Sequence, residues 1–239
     1  MKMRFRFAKR APLQYLGHLD VMRYFQKAIR RADLPVRYSE GFSPHMLLSF
    51  ASPLGVGKTS EGEYFDLELT EDMDPLEAVR RLQKEMIQGM EVLAAADVGE
   101  GKQSNGMRMI AAATYRIILP SSLSEEIAPR LDDFLAQTSI IVTQKSKKGT
   151  REKDIRPGIY ELEMKGDSLH LFVSASSAQN IRPESVLDAL ASFCGTELPP
   201  TGISIIRMEL FMERGNDEQH DFCSLLDAGK ELHASDVAT

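Results

Sequence analysis

Residues 14–57 read QYLGHLDVMRYFQKAIRRADLPVRYSEGFSPHMLLSFASPLGVG, a basic amphipathic helix that runs into an aromatic, glycine-bearing loop and then a strand. Across residues 18–32, Leu19, Met22, Phe25 or Gln26, and Ile29 recur at three-to-four spacing, which predicts the inner face of a helix. Arg23, Lys27, Arg30 and Arg31 fall on its other side. Pro35 closes the element, Gly41 and Pro44 mark a turn, and the apolar run at 46–50 predicts a strand.

Working outward, Met3, Phe5 and Phe7 alternate with Lys2, Arg4 and Arg6, the period of two of a strand with one face buried. Residues 63–69 alternate in the same way, with Tyr64, Asp66 and Glu68 on one side and Phe65, Leu67 and Leu69 on the other. Asp74 as cap, Pro75 at the first helical position and Glu77 completing a capping box start a helix that is expected to reach about residue 88. Gly89 fits its left-handed end, and 92–98 return as a strand. The order is strand, helix, strand, strand, helix, strand.

Residues 99–106, GEGKQSNG, have the composition of a linker. Beyond it, strands are expected at 115–119, 140–143, 159–164, 168–174 and 203–212. Helices are expected at 124–137, with Ile127, Leu131 and Phe134 inward and Pro129 interrupting the backbone donors, and from Pro183, with Val186, Leu187, Leu190 and Phe193 inward. The same order thus occurs twice. The expected fold is α+β: two tandem ferredoxin-like (βαββαβ) domains with antiparallel sheets, at 1–98 and 113–212, joined by a linker at 99–112. An acidic tail at 213–239 is expected to be partly ordered, with a short helix around 222–226.

The 239 residues are 43% apolar, enough for two cores. No apolar run approaches the roughly 20 residues that cross a bilayer, and MKMRFRFAKR lacks the apolar middle of a signal peptide. A cytoplasmic protein without membrane contact is expected. Cys194 and Cys223 are far apart, which supports neither a disulfide framework nor a zinc or iron-sulfur site; no metal or cofactor is expected.

Charge is divided unevenly. Residues 1–58 hold eleven Lys and Arg against three Asp and Glu, while the whole chain sums to −6. A basic face on an acidic body is suited to an anionic partner. Arg23, Lys27, Arg30 and Arg31 are spaced to track phosphates, or simply form a solvated face. Arg37, Tyr38, Phe42 and His45 surround Gly41 and Pro44, setting cations beside aromatics that can stack on bases, although Phe42 can equally plug the core beneath its own turn. His18 and His45 are candidates for general acid or base, against capping, packing or phosphate contact. LGVGKTS resembles part of a phosphate loop, but Ser52 occupies the position of its first glycine. In the second half, Lys145, Lys147, Lys148, Arg151, Lys153 and Arg156 form a basic loop. Ile155-Arg156-Pro157 is echoed by Asn180-Ile181-Arg182-Pro183, where Arg182 precedes a helix whose amides can meet an anion.

The long N-terminal motif, followed by EGEYFDLEL, and KDIRPGIYELE with NIRPESVLDAL in the second half resemble the bacterial radical-SAM-linked proteins of unknown function. The resemblance covers most of residues 1–212. It implies an accessory protein encoded beside, or fused to, a cobalamin-binding radical SAM enzyme. The chain has no Cys-x-x-x-Cys-x-x-Cys motif of its own, so the radical enzyme is a partner. Three readings follow. The first is a non-catalytic protein that binds tRNA or rRNA and presents it to the radical SAM protein. The second is a metal-independent RNA-processing endonuclease using His18 or His45. The third is a scaffold docking on the radical SAM enzyme without RNA.

Overall fold

The computed structural model describes residues 1–99, 105–146, 149–214 and 220–228. It is a mixed α+β structure with a large, mostly antiparallel sheet. The chain forms two compact units: Met1–Ile110 with the described residues from Phe211 onward, and Ala111–Leu210. Part of the expected linker, residues 100–104, lies outside the described residues.

In the first unit β1 (Lys2–Lys9), α1 (His18–Arg31), β2 (Leu48–Phe50), β3 (Thr59–Glu68), α2 (Pro75–Gln83) and β4 (Met90–Asp97) follow one another. The strands lie in the order β4-β1-β3-β2. Phe5, Phe7, Phe25, Phe50 and Phe65 build an aromatic core, with Phe5 stacked on Phe65 at 4.8 Å and Phe25 4.9 Å from the same ring. The buried stripe of α1 is Val21, Phe25, Ala28 and Ile29. Leu19, expected inside, is exposed, because that stripe starts at Val21 and leaves the first turn outside it. Arg81 of α2 ties down the chain just past α1, its guanidinium donating to the carbonyl oxygens of Ala32, the C-cap, and Asp33.

Asp74 caps α2 by accepting from the Glu77 amide at 3.1 Å. The helix stops at Gln83, short of residue 88. Beyond its end, the Tyr24 hydroxyl of α1 accepts from the Ile87 amide at 2.8 Å, and the Gln83 side chain accepts from the Val92 amide of β4 at 2.7 Å.

The face of β1 and β3 expected at solvent is covered. Arg4 is 0% and Asp66 3% exposed, paired through Nε at 2.6 Å and Nη2 at 3.1 Å. Arg4 Nη1 also donates to the Leu225 carbonyl at 2.9 Å, and the Gly106 amide donates to Asp66 at 2.8 Å. Gly106 opens the short helix α3 (Gly106–Met109) and sits close against the pair: a Cβ there would lie 3.2 Å from the Arg4 guanidinium, a tight contact. The described part of the expected tail completes this cover. β11 (Phe222–Ser224) pairs with Phe211, Met212 and Glu213, and a 3₁₀ turn at Leu225–Asp227 buries Leu225. A strand and turn therefore replace the short helix expected at 222–226.

The second unit contains β5 (Ile110–Ile118), α4 (Ser121–Ile127), α5 (Leu131–Leu135), β6 (Ile141–Ser146), β7 (Gly149–Asp154), β8 (Ile159–Lys165), β9 (Ser168–Ser174), α6 (Pro183–Cys194) and the Ser204–Leu210 part of β10 (Ser204–Glu213). Its sheet runs β10-β5-β9-β8. The expected helix at 124–137 is divided, because Pro129 lies in a 3₁₀ turn at Ala128–Arg130 that separates α4 from α5. Of the basic stretch expected as a loop, Lys145, Arg151 and Lys153 lie in a ribbon of β6 and β7, held by backbone pairing from Ile141↔Asp154 to Ser146↔Gly149, and Arg156 lies in the 3₁₀ turn that follows.

Candidate nucleic-acid interface

The outer face of α1 presents the four predicted basic residues in unequal states. Lys27 and Arg30 are exposed and, among the described residues, have no ion-pair partner. Arg23 is exposed with only Asp20 nearby, at 4.0 Å. Arg31 is engaged: its Nε donates to the Glu85 carboxylate at 2.7 Å and its Nη2 to the Glu85 carbonyl at 3.2 Å, which ties α1 to the turn after α2. Two free cations one turn apart, with a third lightly tethered, leave positive charge that the fold itself does not use.

Beside them residues 37–47 form a closed hairpin loop. The Arg37 amide donates to Glu68 at 2.8 Å, the Leu47 amide to Arg37 at 3.0 Å, and Tyr38 bridges Met46. Ser39 organises the interior: its amide donates to the His45 carbonyl at 2.8 Å, its hydroxyl accepts from the His45 amide at 3.1 Å, and the same hydroxyl lies 2.8 Å from His45 Nδ1. Gly41 turns the chain at φ 107°, a conformation that suits glycine. Met46 is the buried anchor, whereas Phe42 is fully exposed and Tyr38 partly so. Phe42 does not plug the core; it stands at the loop tip. Arg37 is exposed at the loop base, without an ion-pair partner among the described residues.

His18 begins α1 after Gly17 and is half-buried, its ring edge-on to Phe50 at 5.4 Å. Neither ring nitrogen has a hydrogen-bond partner among the described residues. The imidazole lines a small pocket with Phe7, Lys9, Leu16, Phe50, Ser52 and Glu63. Lys9 is 2% and Glu63 4% exposed, and the Lys9 ammonium donates to the Leu16 carbonyl at 3.2 Å. No hydrogen bond or ring contact among the described residues joins His18 to His45. Sequence reasoning passed over Lys9 and Glu63, although both were marked by parity. Lys9 continues the inward series 3, 5, 7, and Glu63 precedes the inward series 65, 67, 69. An ionisable residue at an inward strand position is the signal.

In the second unit the two Arg-Pro motifs diverge. Arg156 is spent on the fold, its Nε donating to the Leu135 carbonyl at 2.9 Å and its Nη1 to the Ile159 carbonyl at 3.3 Å. Arg182 is exposed at the N-cap position of α6, and Asn180 is exposed where it bridges Ala175. On β7, Arg151 is exposed and Lys153 half-buried. Lys147 and Lys148 lie outside the described residues. Burial pushes the thiols of Cys194 and Cys223 up, away from the reactive thiolate. No described helix is long and apolar enough to cross a membrane.

A family model described as "Uncharacterized protein conserved in bacteria (DUF2344)" matches residues 2–183. No curated protein matches the chain. Among solved structures, an unknown protein from Galdieria sulphuraria is similar at 12% identity, covering 86% of this chain and 97% of its own, with a TM-score of 0.26. A score of that size carries no argument about fold or role.

Proposed function

We propose that this chain, which belongs to the bacterial family DUF2344, is a non-catalytic RNA-binding protein that presents tRNA or rRNA to a radical SAM enzyme. The observation that carries the RNA reading is the pairing of free cations with a free aromatic. Lys27, Arg30 and Arg37 have no ion-pair partners among the described residues, and Phe42 is fully exposed on the loop that follows Arg37. Phosphates are held by the first set and a base stacks on the second, the combination that single-strand binders use. Arg151, Lys153 and Arg182 extend the basic surface of the second unit. The cobalamin-binding radical SAM partner is supported by the motif resemblance alone. The strand orders β4-β1-β3-β2 and β10-β5-β9-β8 support reading the two units as tandem ferredoxin-like domains, with the β6-β7 ribbon inserted in the second.

The test is retention of RNA from a host lysate at low salt by the whole protein and by the triple variant Lys27→Glu, Arg30→Glu, Arg37→Glu. The reading expects RNA on the first and little on the second. No RNA on either, or equal RNA on both, would sink it. Recovery of a radical SAM protein without RNA would assign the basic face to protein docking.

One observation favours a second reading, metal-independent RNA cleavage: the His18 imidazole has open nitrogens beside the Lys9 ammonium. Such cleavage persists in EDTA and disappears in His18→Ala. Intact RNA after long incubation with the wild-type protein rules it out.

A further inference from the structure

We infer that the open edge of β6 takes an added strand: an extended, lysine- or arginine-bearing segment of a partner protein, laid in the groove between β6 and α6. The site lies wholly in the second unit and owes nothing to the RNA reading above.

Among the described strands, β6 pairs with β7 alone. The parity of that pairing tells which backbone groups it uses. The Ile155 amide donates to the Ile140 carbonyl at 2.9 Å, so Ile140 is a bonded position and, in an antiparallel ladder, Val142 is the next. Ile141 and Thr143 alternate with them, and their N–H and C=O groups point away from β7. None of these groups has a hydrogen-bond partner among the described residues. Folded proteins blunt such an edge with a lysine, a proline or a bulge. Residues 141–143 are Ile, Val and Thr, all β-branched and uncharged, and their register with β7 is unbroken. A bare edge of this kind is completed by another extended backbone.

A groove of 470 Å³ runs along it. One side is the consecutive stretch 139–143, the other is a face of α6 carrying Ser185, Asp188 and Ser192, and no described β7 residue lines it. A strand that turned one face to a groove would line it with every second residue; five in a row mean that the groove follows the edge. Phe134 and Phe193 supply its aromatic surface, edge to face with ring centroids 5.6 Å apart. An added strand alternates its side chains between two faces, so the groove can take an apolar residue at every second position.

Asp188 sets the charge of the occupant. It is the only charged residue among the described ones that line the groove, and it has no hydrogen-bond or ion-pair partner among the described residues. Burial, and after it the Glu184 carboxylate on the same helix, push its pKa up. A cation is what this carboxylate lacks. A lysine or arginine in the added strand supplies it, and an acidic segment is repelled.

The experiment selects displayed random heptapeptides on the whole protein and follows the enriched ones, synthesised singly, by amide-exchange NMR. The expected peptides carry lysine or arginine, slow the exchange of the Ile141 and Thr143 amides, and leave that of Val142, already in the ladder, as it was. Thr143→Pro deletes an amide that the β6-β7 ladder does not use and should weaken these peptides about tenfold, whereas Thr143→Val keeps the amide and should retain them. Asp188→Lys, an exposed change on α6 that leaves the strand backbone alone, should invert the selected charge from basic to acidic. The inference is overturned if no peptide is enriched, if enriched peptides leave the 141 and 143 amides unmoved, or if their affinity survives both Thr143→Pro and Asp188→Lys. Protection of the same amides on raising the protein concentration without peptide also overturns it, by giving the edge to a second copy, and protection by hexauridylate does so by giving the groove to nucleic acid.

Discussion

Arg4 and Arg30 belong to the same basic N-terminal stretch, yet Arg4 is wholly buried against Asp66 while Arg30 stands in solvent without an ion-pair partner among the described residues. The local pattern marked both correctly as lying off the apolar face of their own element. What separates them is the cover. Over β1, residues from far along the chain close the polar face: Gly106 bonds Asp66, and the Leu225 carbonyl receives Arg4. Periodicity therefore says which residues share a face, and only tertiary structure says whether that face meets water. A count of basic residues overstates the binding surface, because Arg4, Lys9, Arg31 and Arg156 serve the fold.

The sharpest way to break this comparison is to truncate both arginines. Arg4→Ala leaves the Asp66 carboxylate buried without its guanidinium and should cost about 3–5 kcal/mol in urea unfolding, whereas Arg30→Ala should stay within about 0.5 kcal/mol. The double change Arg4→Met, Asp66→Leu should regain only part of that loss: it removes both buried charges together but leaves the Leu225 carbonyl and the Gly106 amide without these partners. Equal effects of Arg4→Ala and Arg30→Ala would erase the distinction.

Phe42 sharpens the same contrast among aromatics. Phe42→Ala should leave the unfolding midpoint unchanged and weaken single-stranded RNA binding by about 1–3 kcal/mol in a fluorescence titration. A stability loss with unchanged affinity would mean that the loop tip serves the fold. Asp74→Ala removes the α2 cap and should cost about 1 kcal/mol of stability without touching RNA affinity, separating scaffold from surface.

The smallest effect concerns a carboxylate at the opposite extreme from Asp66. Asp167 accepts from the Ser124 hydroxyl at 2.6 Å and the Ser121 hydroxyl at 2.9 Å, and these bonds hold its pKa below the usual carboxylate range. A lowered folded pKa contributes stability above the unfolded value, and that contribution is lost as pH falls through the folded value. Ser124→Ala should therefore shift acid unfolding slightly toward higher pH, followed by circular dichroism. An unchanged acid midpoint would show that the hydroxyl bond leaves stability unaffected.

Much of the scaffold could be read from residues alone. The alternation in β1, the stripe in α1, the cap at Asp74 and the interruption at Pro129 are local signals with local causes. β7 was hidden because TREKD has no apolar alternation; its strand form comes from backbone pairing with β6. The burial of Arg4 and Asp66 was hidden because the residues that cover them come from 105–109 and 222–227. At the interface, the basic residues and the loop aromatics were visible as residue types. Their availability was not, since the engagement of Arg31 by Glu85 links positions with no shared pattern.

The most direct measurement is the salt dependence of RNA affinity for the wild-type protein and for the triple variant Lys27→Ala, Arg30→Ala, Arg37→Ala, with unfolding midpoints recorded in parallel. If these three cations are surplus to the fold and hold phosphates, the slope of log affinity against log salt should flatten by about 2, at about 0.7 per single-strand phosphate contact, with the midpoint unchanged. An unchanged slope, or a flattened one accompanied by loss of the fold, would contradict the account.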